Sequence, residues 1–597
     1  MGTSRHDSDT ALLAAGLALL ALLAGARAQW PGSVPELCVV PTSFPIRPYS
    51  TTCSDVPASL PGGCAAPRAS VSAQRGETED VQLLLRRGAD ADDLAGGVRN
   101  VAVSVAGLPS NVTAAVFRVG YVRAEHTPRY SGSGGGWRPD PLLPLPPGAT
   151  FSVPSAVAQP LYISLRVARG AVPGNYSNSS VVVSYDDAAS TRRQLVVALS
   201  VEIFSTQLPP LSETNLGSAW SGSWDAQTFA PYLPGGSAAA WNDTTKHRWF
   251  DLMIEHRMPP DAIYLRRPRD FQDYAYMADK GVKWFALLDV SSLQFPSSSP
   301  AGRTATDAHP HHGGGVEGSC RNFTDAYVEH MLATLSPIVA ALEQKDLLSR
   351  AYVYGFDENP VSCEPQVRKL FGATKKAFPA LKTAAVLNWS PMPVDLPVDI
   401  WILQYEKFDA DNAKAWIAQG KVQWHYHCIE PNAVTSLNTF IERPPFQARL
   451  LLWLAASRQL RHGAPSGWLY YAVNLWRPCD NPLCTANVTN KAPLVQNMSS
   501  PFVQFPVGNY IWQPAINDIF ANGDGQFVYP CEGGLPCGSV RLSALRDGLE
   551  DWDGLLSVAS DPAAAAQMVE QVVRGPDDWD WLGWRRMEQI RQMLGRR

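Results

Sequence analysis

The sequence lacks a basic block. Its 50 Lys and Arg residues are outnumbered by 55 Asp and Glu residues, and the formal net charge is −5. Proteins that bind nucleic acid concentrate Lys and Arg on one surface, because contacts with phosphates supply most of that binding energy. We therefore expect no nucleic-acid partner.

Motifs typical of zinc sites are also missing. No C-x-x-C repeat occurs, and His309, His311 and His312 lie in a Gly-rich segment without the helical spacing of a metal site. We therefore expect neither a metal ion nor another cofactor.

Long apolar runs are absent beyond the N-terminus. Residues 11–24 are apolar but too few to span a bilayer, which needs about 20 residues, and Ala26-Arg27-Ala28 follows. This pattern predicts a secretory signal over residues 1–28, cleaved before Gln29. The acidic residues Asp7 and Asp9 are unusual in a signal, so a retained anchor is the alternative. We expect a protein that is secreted or lies in the endomembrane lumen.

Cysteine is present in an even number, ten. In an oxidising compartment this predicts disulfide bonds and no reactive free thiol. Cys531 and Cys537 are close in sequence, as are Cys479 and Cys484, so each pair can close a short loop. Eight Asn-x-Ser/Thr sequons add weak support for secretion: Asn111, Asn175, Asn178, Asn242, Asn322, Asn388, Asn487 and Asn497.

The chain after the predicted signal divides into regions of different composition and hydrophobic periodicity. Residues 29–69 are rich in Cys and Pro and predict an irregular lead-in. Over residues 70–206, short apolar runs alternate with turn residues and no helical periodicity occurs, which predicts an all-β sandwich. The predicted strands begin at Val81, Val101, Ala115, Leu161, Ser180 and Leu195.

Residues 207–537 alternate β runs with helical segments, which is typical of a parallel sheet with crossover helices. The clearest helical segments are 324–343, 366–378, 410–419 and 446–461. Eight alternations predict a (β/α)8 TIM-type barrel, and residues 538–597 predict a helical C-terminal extension. An open doubly wound sheet is the alternative, although no Gly-rich phosphate loop follows an early strand. The barrel strands are predicted near Gly217, Ala262, Lys283, Arg350, Leu381, Asp399, Lys421 and Gly467.

Two adjacent carboxylates, Asp357 and Glu358, follow the fourth predicted barrel strand. The C-terminal ends of barrel strands form the active face, and a general acid belongs there. Neighbouring carboxylates are poorly placed to act on opposite sides of a glycosidic bond, as a direct double displacement requires. They suit a reaction in which the 2-acetamido group of the sugar is the nucleophile. The alternative interpretation is an ordinary helix N-cap.

Aromatic residues are abundant, with 19 Trp and 19 Tyr. Sugar rings stack on such side chains, although core packing is the alternative for each of them. Trp424, Tyr426 and Cys428 share one face of the seventh strand, and the residues between them share the other. Sequence alone leaves open which face lies inside the barrel. The predicted substrate-binding residues are Tyr405, Trp424, Tyr426, Tyr471, Asn474 and Trp476.

These features resemble glycoside hydrolase family 123 over most of the mature chain. The resemblance rests on Arg75-Gly-Glu-Thr-Glu-Asp-Val-Gln, Pro139-Asp-Pro-Leu-Leu-Pro-Leu, Tyr354-Gly-Phe-Asp-Glu, Trp468-Leu-Tyr-Tyr-Ala-Val-Asn-Leu-Trp, Asn522-Gly-Asp-Gly-Gln-Phe-Val-Tyr-Pro and the segment 539–552. It implies a β-sandwich followed by a (β/α)8 barrel that removes β-linked N-acetylgalactosamine by the substrate-assisted route.

The resemblance also implies residue roles. Asp357 would position the acetamido group, Glu358 would act as acid and then base, and Tyr426 would bond the acetamido oxygen. Two departures affect substrate identity: Tyr471 stands where the family is expected to have Trp, and residues 296–318 form a low-complexity insertion. The helical spacing of the charged residues Arg541, Arg546, Asp547 and Glu550 predicts a structural ion-pair face rather than a catalytic role.

The expected function is that of a secreted exo-acting β-N-acetylgalactosaminidase or hexosaminidase with a glycan or glycoconjugate substrate. One alternative is a glycosidase acting on another wall or matrix glycan. The other is a carbohydrate-binding protein that has lost catalysis, which the intact Asp357 and Glu358 disfavour because a lectin needs no acid.

Overall fold

The computed structural model describes most of the chain after the predicted signal. The described residues are 35–42, 44–47, 51–55, 67–87, 97–124, 136–155, 157–187, 189–214, 216–230, 233–293, 322–428, 430–471, 523–531, 534–580 and 583–596.

Two five-stranded sheets form the N-terminal region and share one apolar core. The strands are β1 (Glu36–Val40), β2 (Arg68–Arg75), β3 (Thr78–Arg86), β4 (Val98–Ala106), β5 (Val112–Ala124), β6 (Gly136–Pro144), β7 (Phe151–Val153), β8 (Ala158–Val167), β9 (Gly174–Asp186) and β10 (Arg192–Gln207). The sheet orders are β1-β3-β8-β5-β6 and β2-β10-β9-β4-β7. Alternate residues of β9, including Val181, Val183 and Tyr185, are buried, as expected for a strand with one face on the core.

All six predicted strands of this region are present, and the structure adds four. One of them, β1, lies in the predicted irregular lead-in and pairs antiparallel with β3. Its short length and the Pro-rich surroundings hide its periodicity. The lead-in therefore contributes a strand to the first sheet.

Eight parallel strands form the second region. They are β11 (Gly217–Ser221), β12 (Pro260–Asp261), β13 (Phe285–Asp289), β14 (Ala351–Asp357), β15 (Lys382–Val386), β16 (Ile400–Gln404), β17 (Val422–His427) and β18 (Gly467–Tyr471). Their order is β12-β11-β18-β17-β16-β15-β14-β13, a nearly closed barrel. The predicted eight-stranded parallel arrangement is confirmed, including the first strand, whose sequence signal was the weakest.

A side chain bridges the seam between β12 and β13. Asp261 accepts hydrogen bonds at Oδ1 from the amides of Ala262 and Ala286, at 2.8 and 2.9 Å. The hydroxyl of Tyr352 donates to its Oδ2 at 2.6 Å. Because β12 is only two residues long, the carboxylate supplies the acceptor that a longer strand would have offered.

Trp424 settles which face of the seventh strand lies inside the barrel. It packs with residues from the other strands, including Ala219 and Tyr352, in one interior cluster. Gly217 and Gly467 make room for its indole, since a Cβ at either position would lie 2.4 Å from a ring carbon. The face that carries Trp424 and Tyr426 is therefore the inner one.

Helices cover the barrel and continue to the C-terminus. The four helices predicted most clearly are all present, with bounds within two residues of the prediction. The helices are α1 (Ala226–Phe229), α2 (Asp243–Glu255), α3 (Phe271–Asp279), α4 (Asp325–Glu343), α5 (Glu364–Ala377), α6 (Ala410–Ile417), α7 (Phe446–His462), α8 (Val540–Val558), α9 (Pro562–Val569) and α10 (Gly583–Gly595).

Helix α8 carries the predicted ion-pair face, which is confirmed. Arg546 lies 2.6 Å from Asp80 of β3 and 2.6 Å from Asp547. Arg541 pairs with Asp140 of β6 at 2.8 Å. These charges are buried, so their mutual pairing offsets the cost of removing them from water. The face joins the helical segment to the β-sandwich.

The cysteines pair only in part as expected. Cys531 is bonded to Cys537 as predicted, Cys38 is bonded to Cys53, and Cys363 is also in a disulfide. Cys428 is a free thiol, so the interpretation of all ten cysteines as disulfides is wrong at that residue. Burial raises the pKa of the Cys428 thiol, which keeps it protonated and weakly nucleophilic. Cys479 and Cys484 lie outside the described residues.

Candidate active site

The backbone bends at the end of β14, where the two adjacent carboxylates lie. Phe356 and Glu358, on either side of Asp357, have φ values of 63° and 53°. These left-handed conformations are uncommon for residues other than glycine and cost about 1–3 kcal/mol each. The Phe356 ring is buried against Phe323 and Phe371, which holds the bend. The regular alternation of side chains ends here, and both carboxylates are exposed to solvent.

Two tyrosines hold Asp357. The hydroxyl of Tyr264 donates to Oδ2 at 2.5 Å, and that of Tyr354 donates to Oδ1 at 2.8 Å. Tyr354 is buried in the barrel interior, whereas Tyr264 is half-buried. Each carboxylate oxygen therefore has one donor from the protein and keeps capacity for a further donor from a ligand.

Burial by the surrounding protein raises the pKa of Asp357 to about 6. The negative charges of Glu358 and Asp289 also raise this pKa. The hydrogen bonds from the two tyrosines act in the opposite direction. The largest cause is burial among neighbouring groups, which disfavours the charged form of the carboxylate, although part of the side chain keeps contact with solvent. Asp357 thus titrates close to neutral pH.

Glu358 has a separate set of partners. The Tyr426 hydroxyl donates to its Oε1, and Asn388 Nδ2 lies 3.5 Å from the same oxygen. Asn388 Nδ2 also lies 3.3 Å from the Tyr426 oxygen, while Asn388 Oδ1 accepts from the amide of Gln404. The two carboxylates therefore lie side by side but are held by different elements, which lets them play different roles.

Asp289 stabilises the end of the neighbouring strand β14 through Ser291. It is buried at the end of β13 and accepts from the hydroxyls of Ser291 and Ser292 at 2.7 and 2.5 Å. The Ser291 hydroxyl in turn accepts from the amide of Phe356 at 3.2 Å. Burial raises the pKa of Asp289. This chain of contacts links β13 to the bend that presents Asp357.

The structure brings together three of the eight predicted site residues: Asp357, Glu358 and Tyr426. Trp424 has 0% exposure and fills the barrel below the site, so it offers no face to a sugar. Tyr405 also has 0% exposure, and its hydroxyl donates to the Leu437 carbonyl at 2.5 Å. These two predictions are corrected, because both rings pack in the core.

The remaining predicted positions are near the eighth strand. Tyr471 is the last residue of β18, at the end of the barrel that carries the carboxylates. Asn474 and Trp476 lie outside the described residues, as do His309, His311 and His312.

Three residues of the site did not emerge from the sequence. Tyr264 follows the short strand β12, Tyr354 lies within β14, and Asn388 was noted only as a sequon. For Tyr354 a signal was present, since it precedes Asp357 by three residues in a strand that ends at the active face. The contacts of Tyr264 and Asn388 join residues 93 and 30 positions apart, which no local pattern reveals.

A cavity of about 300 Å³ lies elsewhere, between the sandwich and helices α7, α8 and α10. Its charged lining includes Glu79, Arg449, Asp547 and Arg591, and these side chains are paired with one another or with Asp551. The carboxylates Glu77, Glu79 and Asp551 converge here, but the Arg591 guanidinium bonds all three. The cavity therefore belongs to the interface between regions and not to the carboxylate pair.

Comparison with known families identifies the region that contains these carboxylates. The family model for the glycoside hydrolase 123 catalytic domain matches residues 312–557. Residues 312–557 are therefore similar to a family 123 catalytic domain, and the protein is a glycoside hydrolase. The match begins before α4 and ends within α8, so the helix predicted as the start of a separate extension lies inside the family 123 domain.

A solved structure has a similar fold. A family 123 glycoside hydrolase from Clostridium perfringens, described in connection with glycolipid glycan hydrolysis, has a TM-score of 0.65 with 12% identity, covering 94% of this chain and 97% of that one. At that identity the likeness shows the fold alone.

Two β-glucuronidases are more distant. The Bacteroides uniformis enzyme has a TM-score of 0.26 at 10% identity, covering 68% of this chain and 45% of that one. The Dictyoglomus thermophilum enzyme has a TM-score of 0.27 at 9% identity, covering 65% and 83%. These TM-scores are too low to indicate a shared fold. No curated protein matches this chain.

Proposed function

We propose that this glycoside hydrolase is an exo-acting β-N-acetylhexosaminidase that prefers N-acetylgalactosamine and uses the 2-acetamido group of its substrate as the nucleophile. The observation that carries the proposal is the adjacency of Asp357 and Glu358 on one bent strand end. Residues that are neighbours in the chain cannot easily take opposite faces of one sugar ring, as a protein nucleophile and an acid must in a direct displacement.

The proposed reaction assigns one role to each carboxylate. The acetamido oxygen attacks C1, the bond from C1 to the leaving oxygen breaks, and Glu358 donates its proton to that oxygen. Asp357 accepts a hydrogen bond from the acetamido N–H, which stabilises the positive charge of the oxazolinium intermediate. Glu358 then removes a proton from water as the water attacks C1 and reopens the ring, so configuration is retained.

The surroundings suit those roles. The two tyrosines leave lone pairs of Asp357 free for the acetamido N–H, while Tyr426 and Asn388 bond only Glu358 among the pair. In this arrangement Tyr426 supports the acid, and the sequence-based assignment of Tyr426 to the acetamido oxygen remains a proposal. The intramolecular attack also gains the advantage of proximity, worth several kcal/mol.

A substrate panel tests the proposal. We expect purified protein to hydrolyse nitrophenyl β-N-acetylgalactosaminide with retention, to leave the matched galactoside nearly untouched, and to be inhibited by a thiazoline mimic of the oxazoline. Asp357→Ala should lose activity on the acetamido substrate without rescue by azide, since Asp357 forms no covalent bond to the sugar. Equal rates on the galactoside, or a sugar trapped on Asp357, would overturn the mechanism and support the alternative of a glycosidase acting on another glycan.

We also propose that the enzyme is secreted or lumenal. The signal-like residues 1–28 and the two fully described disulfides support this. Within the part of the chain that the structure describes, no helix is both long and apolar enough to cross a membrane. N-terminal sequencing of the mature protein should begin at or near Gln29; a retained Met1 on a reduced cytosolic protein would contradict the proposal.

A further inference from the structure

We infer that Asp524 forms a hydroxyl-binding subsite that accepts hydrogen bonds from the 4- and 6-hydroxyl side of the terminal sugar. The inference rests on the proposed function, because it needs a sugar whose C1 and C2 lie at Asp357 and Glu358. Nothing in the family match assigns Asp524 a role.

Asp524 is a buried carboxylate to which none of the described residues donates a hydrogen bond. It has 6% exposure, its Oδ2 is enclosed, and no described residue bonds its side chain. Two nearby polar groups share this condition: Oε1 of Gln526, in the same turn, and the hydroxyl of Tyr470 on β18. Buried polar groups are nearly always paired, so three such groups in one region require an explanation.

Leaving a carboxylate in this state is unfavourable. Burial raises the pKa of Asp524 to about 7, which the positive charge of Arg541 only partly offsets. Arg541 cannot supply the missing donor, because its guanidinium bonds Asp140 and the carbonyls of Thr439, Gly523 and Gln526. Hydroxyl groups of a bound sugar would supply the donors and remove the penalty.

The turn that carries Asp524 is held rigidly. Gly523 and Gly525 have φ values of 73° and 64°, which glycine adopts at little cost. Arg541 donates to the carbonyls of Gly523 and Gln526 at 2.7 and 2.6 Å, closing the turn from both ends. A carboxylate without its own partner is thus positioned by contacts to its backbone, which is the arrangement expected of a ligand-binding group.

Asp524 lies at the active end of the barrel. Arg541 donates to the carbonyls of Gly523 and Thr439 at 2.7 and 2.8 Å, and Thr439 Oγ1 lies 2.8 Å from Nε2 of His427, the last residue of β17. His427 directly follows Tyr426, which bonds Glu358. A sugar with C1 and C2 at the catalytic pair presents its 4- and 6-hydroxyls on the opposite side of the ring, away from that pair.

The test combines a change in the protein with a change in the substrate, in the manner of a double-mutant cycle. We compare wild type and Asp524→Asn on nitrophenyl β-N-acetylgalactosaminide and on its 4-deoxy and 6-deoxy analogues. In wild type, kcat/KM should fall about 10–100-fold on at least one analogue, which is the range expected for a hydrogen bond to a charged group. For Asp524→Asn, kcat/KM on the parent substrate should fall by a similar factor. The variant should therefore show little preference for the parent substrate over that deoxy analogue.

Stability gives an independent readout. Burial raises the pKa of Asp524 to about 7, so its carboxylate is mostly charged at pH 8, and no described residue bonds it. Asp524→Asn should therefore keep or raise the Tm at pH 8 while lowering activity. Asp553→Asn is the matched control, since Asp553 is equally buried but pairs with Arg257 at 2.9 Å; it should lower the Tm and leave the preference over both deoxy analogues unchanged.

The outcomes separate the two proposals. If wild type hydrolyses the acetamido substrate but Asp524→Asn keeps the full preference over both deoxy analogues, the subsite is wrong and the proposed function stands. A fall in the Tm of Asp524→Asn at pH 8 also contradicts the subsite, since it indicates a structural role. If wild type hydrolyses no acetamido sugar, the proposed function itself has failed.

Discussion

Tyr264 donates a hydrogen bond of 2.5 Å to Oδ2 of Asp357, joining the loop after β12 to the end of β14. Tyr354 occupies the other oxygen. The ionised carboxylate is the form that accepts these bonds, so the tyrosines counteract the effect of burial on its charge. The proposed mechanism needs that charge opposite the oxazolinium ion.

Tyr264→Phe tests this relationship through pH dependence. The hydrogen bond from Tyr264 lowers the pKa of Asp357, which is about 6, so removing it should raise that pKa. Because Asp357 acts when ionised, the acidic limb of the kcat/KM profile should move to higher pH, with a smaller loss at alkaline pH. Tyr276→Phe is the control, since Tyr276 bonds Asp251 away from the site. If the acidic limb of the kcat/KM profile does not move, Tyr264 has no influence on the ionisation of Asp357.

Glu358→Gln tests the acid. Loss of the proton donor should lower turnover by about 10²–10⁴-fold on substrates with poor leaving groups. The loss should shrink with activated aryl leaving groups, which need less protonation. When rates are measured for a series of leaving groups, they should therefore depend more steeply on the leaving-group pKa in the variant than in wild type. Near wild-type activity on natural glycans would remove Glu358 from the reaction.

Asn388 should be unglycosylated in the active enzyme although it stands in a sequon. Its amide nitrogen faces Glu358 and Tyr426, and its oxygen accepts from Gln404, so the side chain is engaged within the site. Glycopeptide mapping of protein produced in a eukaryotic host through the secretory pathway checks this, with the exposed Asn178 as the comparison. Asn388→Ala should lower kcat with little change in Tm. A glycan on Asn388 in active protein would contradict the geometry.

Gly467→Ala should destabilise the barrel. A Cβ at this position would lie 2.4 Å from Cδ1 of Trp424, and overpacking of this kind costs about 1–3 kcal/mol. The measurement is the free energy of unfolding, or a fall in Tm. Gly372→Ala is the matched control: Gly372 lies in α5 with open space around its Cβ position, so alanine should stabilise by up to about 1 kcal/mol. Equal effects of both variants would contradict the packing argument.

The ionic interface should make stability depend on pH. Its buried carboxylates outnumber the arginines that pair with them: Glu77, Glu79, Asp80, Asp547, Glu550, Asp551 and Asp553, against Arg257, Arg449, Arg546 and Arg591. Burial raises the pKa of Glu77 from 4.5 to about 8, partly opposed by Arg591. Between these values the folded protein holds a proton that the unfolded chain releases, so this contribution to stability falls as pH rises.

Glu77→Gln removes that titration. The Tm of the variant relative to wild type should therefore become more favourable as pH rises from about 5 to 8. Glu588→Gln serves as the control, because Glu588 pairs with the same Arg591 from a half-exposed position. A difference in Tm between Glu77→Gln and wild type that stays constant across this range would show that Glu77 is ionised throughout.

The sequence by itself determined the order of the regions and the position of the acids. Apolar runs of period two and of period 3.6 are local properties, so six of the ten sandwich strands, the eight barrel strands and four of the helices could be predicted from the sequence. The position of Asp357-Glu358 at the end of an apolar strand was equally local. The ion-pair face of α8 followed from helical spacing, since residues three or four positions apart, such as Arg546 and Glu550, share a side of a helix.

Only the tertiary structure decided which aromatic residues reach the carboxylates. Trp424 and Tyr426 lie on the same face of β17. Trp424 fills the space beside Gly217 and Gly467, whereas Tyr426 bonds Glu358. Alternation along a strand specifies the face but not the depth in the barrel. That depth depends on how neighbouring strands are staggered, and the stagger arises from pairing between segments distant in the chain. The partners of Asp357 and Glu358 were therefore decided by the packing of the eight strands and not by any local pattern.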